Sequence, residues 1–288
     1  MPRGIDHLVL AARKFEAQAE LYRKLGFTVG ARNRHPWGTL NHIVQFPGCF
    51  LELITTEPGF KRPDPAEPVA QFANPIADFL DRREGMSNLV LESQDAQKDQ
   101  ADFARSGIAG REVFCFERTG KRPDGSDVHV AFTLAFAAIP AITEAGFFVC
   151  QQHHPENFWN PAFQVHANGV TGIASVILSA EDVATAAAFL QRFAGAERVL
   201  AEPGALAVDT GRGRLEVLTR KGVETIGRDL LPQRVSGTHF AAIRFSCPDL
   251  GVVRQVARVA KVALVERNGL LVIPAREAFG IALVFGGT

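Results

Sequence analysis

Apolar and polar positions alternate along a short stretch, shift to a helical period, then alternate again, and this succession occurs four times in the chain. Residues 4–12 (GIDHLVLAA) alternate as a strand does. Residues 14–25 then place Phe15, Ala19 and Tyr22 on one helical face, and Gly26 stands where a helix C-terminus favours glycine. Three strand-like runs follow at 27–32, 39–46 and 49–55, separated by Pro36-Trp37-Gly38 and Pro47-Gly48. The unit is strand, helix, strand, strand, strand.

The second copy starts with a strand at 88–93, continues with a helix over 95–106 stopped by Gly107, and ends with strands at 113–117, 128–137 and 147–151. The third has a strand at 172–179, a helix over 181–194 with Ser179 and Asp182 at capping-box spacing, Gly195 as its stop, and strands at 197–201, 205–209 and 214–219. The fourth runs through 239–246, a helix over 250–260, and strands at 262–266, 270–274 and 281–285. Between the first two copies, residues 57–75 carry Pro58, Pro63, Pro65, Pro68 and Pro75, too many for a buried strand. That stretch reads as a surface connection, with a lid as the alternative.

Aligning GIDHLVL with SGTHFAAI sets His239 on His7, and aligning CFLELIT with GIALVFG sets Val284 on Glu52, with the same number of residues between the members of each pair. The corresponding places hold Asn88 and Cys150 in the second copy, and Ser175 and Glu216 in the third. Strand parity groups Ile5, His7 and Val9 on one face and Phe50, Glu52 and Ile54 on one face. A carboxylate between Leu51 and Leu53 needs a partner if it is buried, whether a metal or a histidine.

The 288 residues contain 31 Lys plus Arg and 31 Asp plus Glu, a balance that argues against nucleic acid as the main partner. Four scattered cysteines without a CxxC pair exclude zinc-finger and disulfide-framework readings and place the chain in the cytoplasm. The longest apolar run, 130–142, is too short to span a membrane. Phenylalanine is abundant, 22 residues against one Tyr and two Trp, and those that face a cavity would suit an apolar or aromatic guest. Arg118-Thr119-Gly120-Lys121-Arg122 lacks P-loop spacing and reads as a solvated hairpin tip. Cys150 reads as a buried structural thiol.

With GIDHLVLAA and CFLELIT, and more weakly FFVCQQHHPENFW, the whole chain resembles the vicinal oxygen chelate superfamily, the glyoxalase, bleomycin-resistance and extradiol-dioxygenase group. The likeness is to bacterial glyoxalase-like proteins of tandem layout. It implies an α+β fold in which four βαβββ units form two domains, each with a curved mixed sheet around a cavity. The first domain would span 1–152 and the second 170–288. The linker 153–169, marked by Pro155, Pro161, Asn168 and Gly169, would pack through Phe158, Trp159 and Phe163.

In metal-using members, His on the first strand and Glu on the fourth are ligands, two from each of two paired units, which the resemblance carries to His7 and Glu52. Two pairings are open: units one with two and three with four, or one with four and two with three. The first leaves His7 and Glu52 facing Asn88 and Cys150. The second adds His239 and completes two imidazoles and one carboxylate, the set that holds non-haem iron. Ligand counting selects the second, with His7, Glu52 and His239 as ligands of a divalent ion (Fe, Mn, Zn or Ni) and His153 as the first candidate for a general base. The expected function is binding of a small oxygen-bearing apolar or aromatic molecule by a metal-dependent lyase, isomerase or dioxygenase. The alternative is a metal-free sequestering protein of bleomycin-resistance type, which the residues Asn88, Cys150, Ser175 and Val284 favour. The partner is a small molecule, with neither nucleic acid nor membrane, and a homodimer is compatible with the layout.

Overall fold

The computed structural model describes residues 1–121, 127–232 and 235–286. The first half contains β1 (Ile5–Ala11), α1 (Phe15–Lys24), β2 (Asn33–Arg34), β3 (Thr39–Phe46), β4 (Cys49–Thr56), α2 (Ala70–Arg82), β5 (Gly85–Glu92), α3 (Ala96–Arg105), β6 (Phe114–Lys121), β7 (Asp127–Ala137) and β8 (Gly146–Gln152). After α4 (Pro155–Phe158) come β9 (Gly172–Ser179), α5 (Val183–Ala194), β10 (Leu200–Glu202), β11 (Ala205–Asp209), β12 (Arg214–Leu218) and α6 (Arg220–Ile226). The last unit is β13 (His239–Ser246), α7 (Leu250–Ala260), β14 (Val265–Arg267), β15 (Leu270–Ile273) and β16 (Ala282–Gly286). These strands form two curved, mixed eight-stranded sheets, ordered β2-β3-β4-β1-β5-β8-β7-β6 and β10-β11-β12-β9-β13-β16-β15-β14. The architecture is α+β, four βαβββ units in two sheets.

Each sheet joins consecutive units through its central antiparallel pair, β1 with β5 and β9 with β13. The pairing of units one with four, which ligand counting selects, is therefore corrected: units one and two share a sheet, as do three and four. Consecutive elements need the least connecting chain, and that economy holds here.

Each central pair also carries two register shifts, and these fix the correspondence among units better than residue alignment does. The extra residues lie at Asp6, Ser87, Ala174 and Ala241. The next residue in each strand is His7, Asn88, Ser175 and Ala242, paired in its parallel ladder with Phe50, Gly146, Arg214 and Ala282. Two residues further along those outer strands stand Glu52, Phe148, Glu216 and Val284. The histidine place in unit four is thus held by Ala242, not His239, and the glutamate place in unit two by Phe148, not Cys150.

The bulge changes parity as well. Ile5 joins Leu8 and Leu10 in the core against the helices, while Val9 and Ala11 line the other, inner face of the sheet. The expectation that Ile5 shares the face of His7 and Val9 fails because of the one inserted residue.

A single core runs between the halves, combining β1, β9 and β13 with Tyr22 of α1, Phe103 of α3, Phe193 of α5 and Val253 of α7. Phe103 and Phe193 lie 5.8 Å apart across it. Arg212 crosses from the second half to the carbonyls of Ile5 and Gly48. Gly280 adopts a φ of +86°, and a Cβ there would fall 2.3 Å from the Glu84 carbonyl, so glycine lets the chains touch.

Local outcomes differ from expectation at several places. Residues 27–32 form no strand, and the short β2 follows them. The cap of α5 is Asp182, whose carboxylate accepts from the Thr185 amide, rather than Ser179. The proline-rich connection ends in α2, a helix that runs through Pro75 and buries Phe72, Ile76, Phe79 and Leu80 against the inner face. Pro75 has no N–H for the Gln71 carbonyl, and Arg111 Nη1 donates to that carbonyl at 2.8 Å instead. Part of the Arg118–Arg122 tip lies outside the described residues.

Candidate functional site

The inner face of the first sheet, closed over by α2, holds a small cavity of about 50 Å³. Six phenylalanines line it, from β4, α2, β6, β7, β8 and α4. Its polar side is made by His7, His35, Asn41, Glu52 and Arg118. The bulge at Asp6 brings two consecutive polar side chains to this region. The Asp6 carboxylate lies 3.1 Å from His7 Nδ1 and accepts from Gln152 Nε2 at 2.8 Å. His7 stacks on Phe50 with ring centroids 4.3 Å apart, so packing and the carboxylate both fix its ring.

Glu52 is buried, and its Oε1 accepts from Asn41 Nδ2 at 2.6 Å. His35 Nε2 lies 3.9 Å from the same oxygen, while its Nδ1 is 2.8 Å from Thr39 Oγ1. Burial pushes the His35 imidazole down to about 4, so this ring is neutral at pH 7 despite the carboxylate beside it. Arg118, from β6, lines the same cavity and is attracted by the charge of Glu52, and burial lowers its guanidinium below the usual arginine value. Cys150 sits on the same inner face with its thiol pushed well up by burial, which makes it inert, as expected of a structural thiol.

The structure therefore brings together two of the expected site residues, His7 and Glu52. His239 is not with them. It begins β13 in the other sheet, buried, with Nδ1 2.8 Å from the Gly237 carbonyl and its ring lowered by burial. The triad of His7, Glu52 and His239 is corrected on this ground: His7 and Glu52 share the first sheet while His239 belongs to the second, and among the described residues no three His, Cys, Asp or Glu gather as a metal-holding group. His153 is also corrected. It is exposed, and its Nε2 meets Thr133 Oγ1 at 2.8 Å, on the face of β7 opposite Phe132 and Leu134, away from the cavity.

A metal at the superfamily's position would look to four places: His7, Glu52, Asn88 and Phe148. Asn88 does not line the cavity, and Phe148 has no donor atom. Arg118, a cation lining the same cavity, already interacts with the charge of Glu52. Two ordinary ligands beside a fixed cation do not fit a divalent ion.

Asp6, His35, Asn41 and Arg118 were missed as site residues in the sequence. Asn41 and Glu52 are diagonal cross-strand neighbours two residues out of register in the β3–β4 hairpin, where Asn41 pairs with Ile54 and Ile43 with Glu52. That tight two-residue turn was legible, and parity could have put Asn41 beside Glu52. Nothing local marks the Asp6 bulge.

The second sheet's inner face is filled differently. Leu230, Leu231 and Val223 cover Ala241, Ala242 and Ala282. Its glutamate, Glu216, accepts from Ser175 Oγ at 2.5 Å and faces Arg244 Nη1 at 3.5 Å.

Two curved sheets of paired βαβββ units, each with an inner face, define the vicinal oxygen chelate class. Residues 5–194 match the glyoxalase-like domain family, and the chain belongs to it. Among solved structures, a hypothetical protein from Staphylococcus aureus superposes with a TM-score of 0.69 at 11% identity, covering 100% of both chains. The Mn(II)-bound glyoxalase from Novosphingobium aromaticivorans gives 0.54 at 9% identity over 99% of this chain and 82% of that one. The 2,2',3-trihydroxybiphenyl 1,2-dioxygenase from Sphingomonas wittichii strain RW1 gives 0.52 at 10% identity over 100% and 91%. No functionally curated protein matches the chain. No helix among the described residues is long and apolar enough to cross a membrane.

Proposed function

We propose that the chain binds a small apolar or aromatic molecule in the first half's inner cavity, without a metal ion, in the manner of the bleomycin-resistance branch. The observation that carries this reading is the content of the four ligand places: phenylalanine at one, an asparagine outside the cavity lining at another, and Arg118 lining the cavity with the remaining carboxylate. The ring-lined wall supplies the apolar contact, and the buried polar side supplies orientation. At about 50 Å³ the cavity is smaller than an aromatic ring, so entry requires α2 to shift Phe72 away from the wall.

The test is a screen of single-ring aromatic fragments by ligand-observed NMR on protein stripped with EDTA and on protein supplied with Mn²⁺, Fe²⁺ or Zn²⁺. Binding by the stripped protein, lost when Ile43→Trp fills the cavity, is the expected result. Fragment binding that needs added metal, with stoichiometric uptake abolished by His7→Ala, would reverse the conclusion and favour a metal-dependent lyase, isomerase or dioxygenase.

A further inference from the structure

The polar side of the cavity has a chemical sign of its own. Asn41 is 2% exposed, and because its Nδ2 donates to Glu52, its Oδ1 is left as a buried acceptor with no partner. The amide cannot be turned round, since a carboxylate accepts and does not donate. Glu52 Oε1 takes the Asn41 bond, and no donor among the described residues bonds Oε2. Both acceptors belong to residues that line the cavity, where His7, His35 and Arg118 complete the polar side and six phenylalanines, whose ring faces carry negative potential, make the apolar one. Asp6 adds a second carboxylate behind His7.

On the reading that this cavity binds a small aromatic molecule, we propose that its ligand carries a protonated amine, seated between Asn41 Oδ1 and Glu52 and packed against the phenylalanine faces. An ammonium has three donors and satisfies both open acceptors, which a single hydroxyl does not. Its charge is attracted by the ring faces as well. A carboxylate seated between the same two groups would meet the Glu52 carboxylate and an amide oxygen, a repulsion that Arg118, already engaged by the charge of Glu52, offsets only in part. Arg118 is the cation that the ammonium replaces beside Glu52: it interacts with that carboxylate through charge alone and makes no hydrogen bond to it among the described residues.

Calorimetric titration of the EDTA-treated protein with 2-phenylethylamine, 2-phenylethanol and phenylacetate separates the cases, since the three share a ring and differ in the polar group. The amine is expected to bind about tenfold or more tighter than the other two, as charge-assisted hydrogen bonding predicts. Asn41→Leu and Glu52→Gln should each remove most of that advantage. Arg118→Leu should instead tighten amine binding, an effect that a merely structural role for these residues would not give. Equal or tighter binding of the alcohol or the carboxylate overturns the ammonium assignment and leaves the apolar-binding reading intact. Binding of none of the three also overturns it, while the broader reading stands or falls on the fragment screen. If a variant fails to fold, the three-ligand comparison on the unaltered protein still decides.

Discussion

The two inner faces have the same register, the same bulges and a glutamate at the same place, yet one has a cavity and the other is filled. In the first, Glu52 is held by an amide and keeps an open oxygen, with Phe50 and Phe148 beside it. In the second, Glu216 is closed off by Ser175 and Arg244, and alanines let Leu230 and Leu231 settle onto the sheet. A buried carboxylate is tolerated in both because each has partners, but only the first retains acceptor capacity for a guest. The duplicated fold sets where a polar group stands, and its neighbours decide whether that group serves a ligand or the core.

The largest effect that would sharpen this contrast is in pH dependence. His35 belongs to the first cavity and has no counterpart among the polar groups of the second face. Its folded-state value is about 4 against an ordinary 6.5, so above pH 6.5 both folded and unfolded chains carry it neutral and it contributes nothing to the slope. Below 6.5 the unfolded chain takes up the proton while the folded one does not, and stability falls until about pH 4, by about 3 kcal/mol in total. Burial also lowers His166 and His239, which add to the decline with the same sign. Urea unfolding at pH 7, 5.5 and 4.5 should show the loss, and His35→Gln should flatten part of it. An unchanged slope in that variant would mean that the imidazole is hydrated and the first cavity is wetter than its lining suggests.

A smaller effect is expected when each arginine is removed. Arg244→Leu leaves Glu216 buried beside a hydroxyl alone. Because Arg244 is partly solvent-exposed, the cost should be about 1–2 kcal/mol by denaturant unfolding, mostly recovered in the double change with Glu216→Leu. Arg118→Leu should cost less, since Asn41 still donates to Glu52. Equal losses at the two sites would erase the distinction between a filled face and a ligand-ready one.

The repeat, the α+β class and the places of His7, Glu52, Ser175 and Glu216 were legible because alternation and helical period are visible in any copy that keeps its polar residue. What was hidden came from single insertions and from context. The residue following each bulge is the true equivalent of His7, and a bulge leaves no mark in an apolar stretch such as HFAAIRFS, so alignment on the histidine slid His239 three places from Ala242. Helix α2 was obscured because proline reads as a breaker, and only Arg111, distant in sequence, makes Pro75 tolerable there. Arg118 looked like part of a solvated tip. Parity puts it with Phe114 and Phe116 on the inner face, which the charge run Arg118–Arg122 masked.

The last and smallest expected effect concerns α2, which covers the first inner face, where the second is covered by the segment containing Leu230 and Leu231. Cys150 lies under α2 in the same apolar cluster as Phe72, Ile76 and Phe79, while Cys247 is buried in the second half and Cys115 is exposed. A disulfide reagent should therefore label Cys115 at once and Cys150 slowly, because the Cys150 thiolate is disfavoured by burial and reached only when the cover lifts. If lifting of α2 is a local event, Ile76→Ala, which removes a buried contact between helix and sheet, should speed Cys150 labelling by about tenfold or more and leave Cys247 unchanged. Mass spectrometry of the labelled peptides separates the sites. Parallel acceleration of Cys150 and Cys247 would mean that the reagent reads global unfolding, and α2 would then be a fixed part of the core, as closed as the cover of the second face.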